Sequence, residues 1–197
     1  HRRSITARIR DYRSSGILRL DHRIGVSLSA MDDLPTRFSI WLALALFAAG
    51  QVSRRSLGAQ NDSASVWFSA LGLLAFVCHV ILAFEFHYDW NHATALAKTA
   101  AQTEALTGVS SGNGLYLNYL FGLVWLAEVC WWTNSTARRT NRTNWIERAV
   151  RGFFLFMIVN GAVVFVDAPR RWLGMVVVSV LLYAWRPSTR TGQDQAA

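Results

Sequence analysis

A chain of 197 residues, 52% apolar and carrying a net charge of +8, is long enough for one domain. Its apolar residues fall into long blocks separated by basic stretches, which excludes an ordinary water-soluble globule. Nucleic acid is excluded as a partner as well: Arg2, Arg3, Arg8, Arg10, Arg13, Arg19 and Arg23 crowd the first thirty residues, but no reading motif or aromatic–basic interleaving accompanies them.

Residues 1–37 form a basic arm. The chain opens at His1 and its first methionine is Met31, so residues 1–30 read as an upstream extension and Met31 as the native start. The rival reading is a basic arm lying on anionic headgroups. Residues 38–52 are an apolar run bounded by Arg37 and by Arg54 and Arg55, shorter than a full span. Basic residues before it and Ala48, Ala49 and Gly50 near its end also fit a signal peptide. The charge pattern of the later loops favours an uncleaved segment, either a short span or an interfacial helix.

Residues 66–84 are the clearest span, uncharged throughout and interrupted only by His79. Such a run is apolar on every side, unlike the one-sided helices of soluble cores. The following connection holds a polar helix over residues 91–106, rich in Ala, Thr and Gln, closed by Gly108 as a C-cap. Residues 115–132 are the second span, admitting Asn118 and Glu128, and residues 149–166 the third, with Asn160 inside. Asp167, Pro169, Arg170 and Arg171 break the chain before a short final span over residues 172–185. A polar tail over residues 188–197 ends the sequence.

The fold expected is therefore all-α: a polytopic transmembrane helical bundle over residues 38–187, with four spans and a short N-terminal fifth. Arg138, Arg139, Arg142, Arg148 and Arg151 lie between the second and third spans, whereas the longer connection over residues 85–114 holds only Lys98. The positive-inside rule then places the arginine-rich loops and the C-terminus in the cytoplasm of a bacterial inner membrane.

The candidate chemistry sits in HVILAFEFHYDWNH, residues 79–92. A continuous helix would put His79 and His87 on one face, and Glu85, Asp89 and His92 on its neighbour. Imidazole and carboxylate suit a transition metal, with Glu85, His87, Asp89 and His92 as ligands, and His79 is the candidate ligand of a haem. Against this stand ordinary roles: His79 as a hydrogen-bonded packing residue, the others as headgroup anchors. Within the membrane, Asn118, Glu128 and Asn160 line a polar path or act as interhelical glue. Cys78 and Cys130, each alone in an apolar block, read as small buried hydrophobes. No Walker A loop, GxSxG, HExxH or dinucleotide fingerprint is present, and no catalytic residue is assigned.

From Val66 to Pro187 the chain resembles a group of small, uncharacterised bacterial multi-pass membrane proteins. The segments HVILAFEFHYDWNHATALAKTAAQTEALTG and GLYLNYLFGLVWLAEVCWW carry the resemblance. It implies four spans and brings no activity. The expected function is a non-enzymatic accessory or assembly subunit with a His/acid cluster at its extracytoplasmic face, partnered by the lipid bilayer and by a second copy or a membrane complex. The alternatives are a haem- or metal-binding redox subunit and a small transporter or proton-coupled carrier.

Overall fold

The structure is a computed structural model that describes residues 34–56, 62–134 and 143–186. The basic arm, the proposed start at Met31, Arg138, Arg139, Arg142 and the polar tail lie outside the described residues. Among the described residues every regular element is helical. In chain order they are α1 (34–56), α2 (Asp62–His87), α3 (His92–Thr107), α4 (Asn113–Thr133), α5 (Asn144–Val159) with a π-helical continuation (Asn160–Val164), and α6 (Arg171–Ala184).

α1, α2 and α4 outrun at both ends the apolar runs that announced them, whereas α6 matches its run to within one residue. α1 extends beyond residues 38–52 at both ends, because polar residues of its last turns find partners on other helices. Gln51 accepts a hydrogen bond from Trp185 Nε1 at 3.1 Å, and Arg55 Nη1 donates to the carbonyls of Ala184 at 3.4 Å and Arg186 at 2.6 Å. Its inner face, Ala43, Leu44, Phe47 and Ala48, is core. α1 is thus a member of the bundle and not a helix lying across its surface. At about 1.5 Å per residue it is some 34 Å long.

Contacts fix the directions. His79 near the end of α2 meets Thr36 near the start of α1, and Trp125 of α4 donates to Ser69 of α2 at 3.1 Å. The ends of α1, α4 and α6 and the starts of α2 and α5 therefore gather at one end, here termed the basic end; His79, α3 and the Asp167 turn lie at the other. Between them is an aromatic core. Phe47 of α1 stacks on Phe154 of α5 with centroids 4.8 Å apart and meets Trp125 edge-on at 5.0 Å, while Phe121 contacts Phe76 at 5.2 Å and Phe154 at 5.1 Å. Each such pair adds about 0.5–1.5 kcal/mol beyond simple burial.

α5 and α6 are joined more tightly than short helices usually are. In the π-helical turn the amide of Phe165 reaches the carbonyl of Asn160 at 3.0 Å, and the Asn160 side-chain amide donates to the carbonyl of Phe156 at 2.7 Å. Gly174 of α6 seats against this turn: a Cβ there would run into the carbonyl oxygen of Ala162, so only glycine fits.

Apolar side chains also cover much of the outer surface. Leu71, Leu74, Val77 and Ile81 on α2, Leu120, Leu123 and Leu126 on α4, and Leu173, Val176 and Leu182 on α6 are exposed, while Ser65 and Ser69 are buried. Two helices, Ser63–His87 and Asn113–Thr133, are long and apolar enough to cross a membrane. Only 22% and 17% of their most apolar windows are buried among the described residues, so neither helix is enclosed by them. Cys78 and Cys130 lie on this outer surface and are exposed, which corrects the expectation of buried thiols.

Candidate functional site

The His/acid segment does not form one helical face. α2 ends at His87, and Asp89 and Trp90 adopt left-handed backbone, with φ of 47° and 55°. The chain reverses, the Asn91 side chain caps α3 by accepting from the Thr94 amide at 3.1 Å, and α3 runs to Gly108, whose φ of 74° closes it. Continuous-helix geometry for Glu85, Asp89 and His92 is thereby replaced. Asp89 sits in the exposed turn. Glu85 accepts from Trp90 Nε1 at 2.6 Å. His92 lies on α3 against α4, where its Nδ1 is 3.3 Å from the Tyr119 hydroxyl and its ring stacks on that of Tyr119. The carbonyl of His87 accepts from Lys98 Nζ at 2.5 Å. Burial beside these groups, with Tyr119 adding to it, pushes the Tyr88 hydroxyl above the usual phenol range. Among the described residues no three His, Cys, Asp or Glu side chains converge closely enough to hold a metal ion.

His79 is engaged one layer deeper. Its Nδ1 is 2.8 Å from the carbonyl oxygen of Thr36. A carbonyl can only accept, so Nδ1 carries the proton; in the neutral ring Nε2 is then the lone-pair nitrogen.

Asn118, Glu128 and Asn160, the polar residues of the expected spans, are not assembled into a path. Asn118 is exposed on α4, and Asn160 is spent on its own helix. Glu128 alone reaches a polar cavity, which lies at the basic end and has a volume of about 280 Å³. Its lining draws on α1, α2, α4, α5 and the end of α6, and the aromatic core stands at its base through Phe47 and Phe154.

Full charges of both signs line this cavity, and tryptophan holds most of them in place. The Arg54 guanidinium carbon lies 4.1 Å from the Trp132 ring centre, and Trp132 Nε1 in turn donates to Glu128 Oε2 at 3.3 Å. On α5, Arg151 pairs with Glu147 one helical turn before it. Arg151 also lies 5.9 Å from the ring centre of Trp185, whose indole nitrogen is anchored on Gln51. Two guanidiniums, two carboxylates and the amides of Gln51 and Asn144 thus share a small volume walled by indole. Such an arrangement can hold a small polar ligand and fix its orientation; no nucleophile–base pair is among the lining residues.

Sequence reasoning placed Glu128 within its span but read Arg54 and Arg151 only as topology signals. The missed signals were Gln51, a polar residue inside an otherwise apolar run, and the Glu147–Arg151 spacing, which sets a charge pair on one helix face just inside a span. At the opposite end Asp167 pairs with Arg170 at 3.8 Å, across the break at Pro169. Comparison with known proteins finds no match among family models, curated proteins or solved structures.

Proposed function

We propose that this chain is a multi-pass integral membrane protein with four spans, formed by α2, α4, α5 with its π-helical turn, and α6, and with α1 as a fifth. It acts as a non-enzymatic accessory subunit whose working site is the polar cavity at the basic end. The observation that carries this reading is the outer surface: the longest apolar helices leave their leucines and valines uncovered, while Ser65 and Ser69 are buried. Water does not tolerate that distribution, and lipid favours it.

Arginines favour one orientation. Arg54, Arg55, Arg148, Arg151 and Arg186 lie at the basic end against Arg37, Arg170 and Arg171 at the other, and the positive-inside rule assigns the richer end to the cytoplasm of a bacterial inner membrane, with the C-terminal end of α6 on the same side. Reporter fusions ending after Gly112 and after Thr143 should therefore report opposite compartments, the first outside and the second inside. Activity of both reporters on one side would defeat the proposed topology, and recovery of the protein in the soluble fraction without detergent would defeat the membrane assignment itself.

A second reading, a haem-binding redox subunit, draws on one observation only. The Thr36 carbonyl holds His79 in the tautomer whose free nitrogen, Nε2, is the one that ligates iron in many haem proteins. No second histidine faces it from another span among the described residues, so the second axial position would belong to a partner or another copy. The optical spectrum of detergent-purified protein tests this: a Soret band lost in His79→Ala supports it, and its absence from folded wild-type protein removes it.

A further inference from the structure

We infer that the cavity at the basic end is a site for a zwitterion combining a phosphate with a primary ammonium, the chemistry of an ethanolamine phospholipid headgroup. The inference rests on the membrane reading above and names the ligand class of that same cavity.

The lining charges carry the argument. Arg54 and Arg151 oppose Glu128 and Glu147, so the formal charges of the wall cancel. A purely anionic ligand meets two carboxylates and a purely cationic one meets two guanidiniums; a ligand bearing both signs can satisfy both. Guanidinium with its face on an indole, as Arg54 has on Trp132, directs its in-plane N–H groups sideways, a geometry that suits the oxygens of phosphate. Trp131 adds a third indole to those of Trp132 and Trp185, an environment that suits a cation.

The ammonium is primary because of what the wall offers it. Carboxylates and side-chain amides are hydrogen-bond acceptors, and a quaternary ammonium has no N–H with which to use them. Size and place agree. A volume of about 280 Å³ falls just below the range of about 300–1,000 Å³ typical of pockets for drug-sized ligands, and it suits a headgroup. The cavity lies where arginine and tryptophan gather at the helix ends, the depth at which lipid headgroups sit.

The test uses the full chain in nanodiscs of equal phosphatidylethanolamine, phosphatidylcholine and phosphatidylglycerol, followed by native mass spectrometry of the released protein. Ethanolamine lipid should be retained about tenfold over choline lipid, as expected for one charge-assisted hydrogen bond gained. Glu128→Gln should bring that ratio close to one without lowering retention of the glycerol lipid. Glu147→Gln is the second variant should the first fail to assemble.

A parallel titration with soluble phosphoethanolamine in detergent separates the sources of the shared chemistry. Displacement of bound lipid by the soluble compound at millimolar concentration assigns the site to a free zwitterion; lipid retention that resists it assigns the site to the headgroup. Equal retention of all three lipids with no phosphoethanolamine adduct overturns the inference, as does an ethanolamine preference unchanged in both glutamate variants. Neither result touches the membrane reading, which in this experiment fails if the protein does not enter nanodiscs at all.

Discussion

Single side chains decide how closely these helices approach. Gly174 is the sharpest case, since any Cβ would collide with the backbone carbonyl of Ala162, and backbone has nowhere to retreat. Gly174→Ala should lower the thermal stability of the detergent-solubilised protein by an amount equivalent to at least about 1–3 kcal/mol, the usual cost of overpacking. Gly152, in the middle of α5, would have open space around an added Cβ. Gly152→Ala should be neutral or stabilising by up to about 1 kcal/mol, because alanine is the better helix former. A melting curve for each variant checks the pair; equal effects would mean that the Gly174 contact does not govern the packing of α6. Neither glycine could be ranked from the sequence, where both are simply small residues in apolar helices. What separates them is a neighbour supplied by another part of the fold.

Elements were legible in proportion to how local their causes are. α2 and α4 follow from long, mostly apolar runs, and α3 from a polar, alanine-rich stretch with its stop signal in place. Gly108 should matter for that reason: at φ of 74°, with nothing within 4 Å of where a methyl would stand, its role is conformational alone. Gly108→Ala should cost about 1 kcal/mol and fray the last turn of α3, readable as faster amide exchange at Leu106 and Thr107. Protection unchanged in the variant would show that α3 is held by its packing on α4 and not by its cap. The bend before α3 was not legible, because Asp89 and Trp90 hold left-handed backbone without glycine. Local pattern offered a continuous helix there, and with it a ligand cluster that the reversal takes apart. α1 was underestimated for the opposite reason: the partners that extend it, Trp185, Ala184 and Arg186, lie more than a hundred residues away in the chain.

At the scale of the whole molecule, the class of fold was readable and the site was not. Alternating apolar blocks and arginine-rich connections point to a helical bundle. The cavity arises only when Arg54, Glu128 and Arg151, carried by α1, α4 and α5, reach that end together, and no spacing in the chain announces such a meeting. The polar path imagined through Asn118, Glu128 and Asn160 failed for the same reason, since helix rotation turns Asn118 outward and a backbone bond occupies Asn160.

The rings of Phe47, Phe76, Phe121, Trp125 and Phe154, packed between the cavity and the histidine end, carry one last consequence. A hydrated ion that enters from the basic side must strip its water against hydrocarbon and indole faces, with no carbonyl ladder to replace the shell. On the proposed membrane placement this packing would insulate the bundle electrically, and a cell could carry many copies of the protein without short-circuiting its own membrane potential.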